Sequence, residues 1–83
     1  MDRLEKEHVL EAALFMSPKA MTIDELKAVA FVESRMETKT LLKELISHYN
    51  SKKSALEIVE LPIGYQMRVK GKYEEDVAHL ATD

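Results

Sequence analysis

The chain has 83 residues, no cysteine, a formal net charge of −3 and charged side chains at 33% of its positions. A chain of this size forms one domain around one core with little stability in reserve. The missing cysteines exclude a disulfide framework and a thiolate metal site, as suits a reducing cytosol, and the acidic balance excludes a global pull toward nucleic acid. The N-terminal MDRLEKEH carries both signs of charge, without the apolar run of a signal peptide, and no stretch approaches the length of a membrane span.

From Leu4 to Met16, Val9, Ala12, Ala13 and Met16 recur at spacings of three and four, and Leu10, Leu14 and Phe15 broaden the stripe. The pattern predicts a helix with a wide buried face, its wet side taken by Glu5, Lys6, Glu7 and Glu11. Ser17-Pro18 ends it, because the residue before a proline is pushed out of the α region. Ala20-Met21 then leaves room for a short extended segment. Thr22-Ile23-Asp24-Glu25 is a capping box, in which the Thr22 hydroxyl and the Glu25 carboxylate each satisfy a backbone N–H at a helix start. It opens a second helix, from about Ile23 to Ala30, with Ile23, Leu26, Val29 and Ala30 inward. Phe31 and Val32 close that helix, and Ser34 with Glu37 repeats the capping pattern to open a third, reaching about Asn50. At about 100° per residue, Leu41, Leu42, Leu45, Ile46 and Tyr49 share one side of it. Arg35, Lys39 and Lys43 line one outer flank, and Glu37 and Glu44 the other.

After the polar connection Asn50-Ser51-Lys52-Lys53-Ser54, the stretch Leu56 to Val69 reads as two strands folded back on each other. Leu61-Pro62-Ile63-Gly64 supplies the turn: Pro62 presets φ at the first bend position, and Gly64 takes a positive φ that a Cβ would resist. Tyr65, Met67 and Val69 alternate with Gln66, Arg68 and Lys70, so the second strand has an inner and an outer face. In the first, Leu56 and Ile58 share one face, and Val59 and Leu61 lie on the other with Glu57. A lone hairpin is marginal in water, so this one must lie on helices. Lys70-Gly71 ends the second strand, Tyr73, Val77 and Leu80 are in phase for a last helical turn or two, and residues 81–83 are expected to fray. The order helix, short strand, helix, helix, strand, turn, strand, helix predicts a mostly α member of the α+β class. Its layout is that of a winged helix-turn-helix, with a three-helix core, a β-hairpin wing and a short C-terminal helix.

Several of these segments resemble the segregation and condensation protein B family, over nearly the whole chain. Glu11-Ala12-Ala13-Leu14-Phe15 is similar to the family's first-helix signature, and Met21-Thr22-Ile23-Asp24-Glu25-Leu26 to the start of its second helix. Leu42, Leu45 and Tyr49 resemble the third-helix pattern. Leu56-Glu57-Ile58-Val59-Glu60, then Gly64-Tyr65-Gln66-Met67-Arg68 and Tyr73, resemble its wing and the start of its next helix. Two places depart from the pattern. Ile63-Gly64-Tyr65 stands where the family often has Gly-Gly-Tyr, and Ser54-Ala55 where it has a glycine-containing approach to the wing. The resemblance implies a non-enzymatic structural subunit of a condensin-like SMC–kleisin complex in chromosome segregation and condensation, cytoplasmic and associated with the nucleoid. It implies homodimerisation, contact with a kleisin of the ScpA type and the SMC complex, and weak or indirect DNA contact. Residues 1–83 would be a single winged-helix domain like the first of the family's two, in either a fragment or a shortened relative.

The residues themselves nominate two surfaces. If Leu56 and Ile58 face the core, Val59, Leu61 and Ile63 face out as an apolar strip near the hairpin tip, a candidate seam for a second copy. The alternative is a small DNA-binding regulator, with Arg35, Lys39, Lys43 and Arg68 on phosphates. Against it stand Glu37 and Glu44 on the same helix and a tip, Pro62-Ile63-Gly64, without a cation. Catalysis, a small-molecule substrate and a cofactor are not expected. His8, His48 and His79 lie on different elements at no metal-binding spacing, and Gly64 and Gly71 alone cannot build a phosphate-cradling loop.

Overall fold

The computed structural model describes residues 1–80, so the fraying expected at 81–83 lies outside the described residues. Helix α1 (Arg3–Met16) starts on Asp2, whose carboxylate accepts from the Glu5 N–H at 2.8 Å, and it stops at Ser17, ahead of Pro18. Helix α2 (Ile23–Val29) opens on the capping box: the Thr22 hydroxyl accepts from the Glu25 N–H at 3.1 Å, and the Glu25 carboxylate accepts from the Thr22 N–H at 2.9 Å. Helix α3 (Arg35–Ser51) is capped by the Ser34 hydroxyl, which accepts from the Glu37 N–H at 3.0 Å.

Strands β1 (Leu56–Leu61) and β2 (Gly64–Val69) form an antiparallel hairpin through the two residues Pro62 and Ile63. That short loop sets Leu61 opposite Gly64, which fixes Ile58 opposite Met67 and Glu57 opposite Arg68. The extended segment expected at Ala20-Met21 is a single rung. Met21 and Tyr65 pair antiparallel, on the edge of β2 away from β1. Helix α4 (Gly71–Val77) and a 3₁₀ turn, Ala78–Leu80, follow.

The core lies where α1, α2 and α3 meet and where the hairpin's inner face covers them. Leu10, Leu14, Leu26, Leu41 and Leu42 are each 1% exposed or less, and Ile58 and Tyr65 close the core from the hairpin. Each such leucine contributes roughly 2 to 3 kcal/mol of transfer free energy. Thr38 is equally buried, and its hydroxyl donates to the Ser34 carbonyl at 2.8 Å, so no polar atom is stranded. This three-helix body with its hairpin is a winged helix-turn-helix.

Packing corrects two of the predicted faces. On α1 the buried pair is Leu10 and Leu14, flanked by Val9 and Ala13, while Met16 and Phe15 at its end are 76% and 67% exposed. The stripe was wide enough for two centres, and contact with α3 chose the inner one. On α2, Val29 turns outward and is 40% exposed, because the helix ends there and Ala30 and Val32 take the inward positions.

The end of α2 is a Schellman turn. The Val32 N–H donates to the Lys27 carbonyl at 3.0 Å and the Phe31 N–H to that of Ala28 at 3.3 Å. Phe31 thereby has φ of 53°, the left-handed conformation that glycine normally supplies at this position. A side chain held there costs about 1 to 2 kcal/mol.

Candidate protein-interaction surface

The hairpin register decides which residues face out. Leu56, Ile58 and Glu60 alternate toward one face with Tyr65, Met67 and Val69, and Ile58 and Tyr65 on it are buried. Glu57, Val59 and Leu61 therefore share the outer face with Gln66 and Arg68. Val59 and Leu61 are half-buried, and Ile63, in the loop, is 72% exposed. The predicted outward direction of the strip is thus where the structure places these residues. A cavity of about 360 Å³ opens beside the tip, between the hairpin loop and the first turns of α2 and α3, lined by Ile23, Arg35, Lys39, Leu61 and Ile63 among others. Helix α4 does not seal the wing: all its residues are exposed, including Tyr73 and Val77.

Of the four cations nominated for phosphate contact, two are paired with carboxylates and two are exposed on α3. Arg35 Nε lies 3.3 Å from Asp24 Oδ1, and Arg68 Nε donates to Glu57 Oε2 at 3.0 Å, across the strand pair that the register predicts. Lys39 and Lys43 are exposed on α3. On the other flank of that helix Arg3 grips Glu44, which holds the Glu44 carboxyl below the ordinary carboxylate range. Such exposed pairs contribute little to stability.

A second depression, of about 240 Å³, lies between α1, the end of α3 and β2, and is lined by His8, Glu11, Ala12, Phe15, Tyr49 and Met67. The Tyr49 hydroxyl donates to the Glu11 carboxylate, and the Lys52 ammonium sits 4.5 Å over the Tyr49 ring. Burial of the phenol, helped by the hydrogen bond and the charge of Glu11, pushes Tyr49 up to about 12. Its proton is thus held near neutral pH, and the group braces α1 against α3 rather than exchanging protons. Among the described residues no group of three or more His, Cys, Asp and Glu is placed to hold a metal ion, and His8, His48 and His79 stand exposed on separate elements. Among the described residues no helix is long and apolar enough to cross a membrane.

Sequence reasoning missed one part of the surface, the corner between α2 and α3, where Phe31 is 77% and Met36 79% exposed. The sequence pattern assigns Phe31 only the role of closing α2. The signal was present in the Schellman pattern, which asks for glycine where the chain has phenylalanine.

The chain is similar to known proteins in sequence and in fold. The family model described as segregation and condensation complex subunit ScpB matches residues 8–83. The segregation and condensation protein B of Alkaliphilus metalliredigens is 29% identical over 80 residues, which cover 96% of this chain and 42% of that protein. The chain thus spans less than half the length of that curated relative. Among solved structures, a dimer of an ScpB N-terminal domain complexed with an ScpA peptide is 24% identical with a TM-score of 0.82, over 100% of this chain and 97% of that one. ScpB from Mycobacterium tuberculosis is 22% identical with a TM-score of 0.84, over 96% of this chain and 49% of that one. At these identities the likeness to solved structures is one of fold.

Proposed function

Because the chain belongs to the family of segregation and condensation complex subunits ScpB, we propose that it acts as a non-enzymatic structural subunit of a condensin-like complex that partitions chromosomes. Its residues correspond to the first of two winged helices in such a protein. It pairs with a second copy through the outer face of the hairpin, around Val59, Leu61 and Ile63. The paired form meets a kleisin of the ScpA type, and through it the SMC complex, at the nucleoid in the cytoplasm. In support, a solved relative of the same fold is a dimer of an N-terminal domain holding an ScpA peptide, and the match covers 97% of that chain.

The observation that carries the proposal is the character of the wing: its loop offers an isoleucine that is 72% exposed, and its outer strand face offers Val59 and Leu61. A wing that grips DNA presents cations to phosphates. Here Arg68, on that outer face, is turned to Glu57.

Titration of the purified chain with the ScpA-type kleisin of the same genome, and separately with random duplex over a salt series, tests the proposal. The expected result is saturable binding of the kleisin and feeble binding of duplex at every salt concentration. Duplex binding that is tight at low salt and falls steeply as salt rises, with no kleisin binding, would instead identify a DNA-binding regulator.

A further inference from the structure

Helix α4 is tied to the protein at one end. The last backbone bond of the hairpin is made by the Lys70 N–H, which donates to the Ala55 carbonyl at 2.7 Å. Past that point, among the described residues, no hydrogen bond or ion pair joins residues 71–80 to any residue before Lys70. The Lys72 ammonium sits over the ring of Tyr73, within the same segment. No residue of α4 or of the 3₁₀ turn is buried. The other three helices open on the side chains of Asp2, Thr22 and Ser34, whereas Lys70 gives α4 no side-chain cap. Helices shorter than roughly 12 to 15 residues are marginal in water unless packing holds them.

The joint is Gly71. At Gly64 a positive φ and the nearby Met21 carbonyl both ask for glycine, but at Gly71 a Cβ would meet nothing within 4 Å and φ is not positive. Glycine has no steric task there, and what it adds is conformational freedom at the first residue of α4. The surface that α4 faces is slight: Val77 and Ala78 stand across an open cleft of about 320 Å³ from Arg68 and Val69. That cleft lies at the end of β2 remote from the Pro62-Ile63 loop.

We propose that Lys70-Gly71 is a hinge, on which α4 and the 3₁₀ turn swing as one arm. The arm opens and closes the cleft against Arg68 and Val69 while the three-helix body and the hairpin stay folded. A segment with no buried side chain and no bond to its neighbours opens at little free-energy cost, unlike the elements that share the core. Because the cleft is at the base of the hairpin, the swing leaves Leu61 and Ile63 at the tip in place.

The chain has no cysteine, so spin labels can be placed in chosen pairs. The test measures distance distributions for Lys43→Cys with Asp76→Cys, which spans the joint, and for Lys43→Cys with Ala28→Cys, which lies within the body, each diluted into unlabelled chain. The body pair should give one narrow distance and the arm pair a broad distribution. Adding Gly71→Ala should lower the swung-out population about two- to five-fold. Val77→Asp, which charges the arm's side of the cleft, should melt at the wild-type temperature. An arm pair as narrow as the body pair overturns the hinge, and so does a clear fall in melting temperature for Val77→Asp. An arm distribution that Gly71→Ala leaves unchanged overturns the joint assigned to Gly71. A distribution that narrows as unlabelled chain is added overturns the free swing in favour of an arm held by a second copy.

Discussion

Met21 and Tyr65 exchange two backbone hydrogen bonds, each 2.8 Å long, and this one rung fastens the hairpin to the linker between α1 and α2. It joins the wing to the start of the helix-turn-helix, so the orientation of the outer hairpin face depends on it. Gly64, next to Tyr65, makes the approach possible. A Cβ there would collide with the Met21 carbonyl, and φ at Gly64 is 157°.

Gly64→Ala should therefore cost about 2 to 3 kcal/mol. Urea denaturation gives the magnitude, and hydrogen exchange locates it, because the Met21 and Tyr65 amides should lose protection before those of α3. Loss confined to the tip of the hairpin, with the Met21 amide still protected, would contradict the role assigned to the rung.

The burial of Tyr49, with its tie to Glu11, predicts an alkaline limb. The Tyr49 phenol rises from 10.0 in the unfolded chain to about 12 in the folded one, so folding favours the protonated form. Its contribution, on the order of 2 kcal/mol, is fully present below pH 10.0 and is lost as pH climbs through about 12. Tyr49→Phe should lower stability by about 1 to 2 kcal/mol at neutral pH, through loss of the hydrogen bond to Glu11. Its melting temperature should also fall less than that of the wild type between these two pH values.

At the other end of the scale, the capping box governs an acid limb. Hydrogen bonds from Thr22 hold the Glu25 carboxyl below its ordinary value of 4.5. Its help to α2 is present above pH 4.5 and disappears as pH falls through the lowered folded value. Thr22→Ala should cost about 1 kcal/mol at neutral pH. The gap between variant and wild type in urea melts should narrow as pH falls below 4.5 and the Glu25 carboxyl takes up its proton.

What could be read in the chain, and what could not, follows the range of each interaction. The caps at Thr22 and Ser34, the stop at Ser17-Pro18 and the turn at Pro62-Ile63 are local, and all were legible. The facing of Glu57 and Arg68 comes with the register that the two-residue loop sets. The face of α1 was not, because Val9 with Ala13 and Leu10 with Leu14 are equally good helical pairs, and only packing against α3 decides between them. Thr38 lies outside the apolar positions that periodicity assigns to the inner side of α3, yet its hydroxyl is satisfied by the Ser34 carbonyl and its methyl is free to enter the core. The pairing of Arg35 with Asp24 needs the angle between α2 and α3, which no periodicity carries. Of the interaction strip, the outward direction was legible and the degree of exposure was not: Ile63 stands out in the loop, while Val59 and Leu61 are half-covered.

Sedimentation equilibrium of the chain at tens of micromolar, beside Ile63→Glu and Leu61→Asp, bears most directly on the pairing of two copies through the wing. The wild type should sediment as a dimer, and each substitution, by placing a carboxylate in the seam, should give a folded monomer. A wild type that is monomeric, or variants that remain as dimeric as it is, would contradict the account.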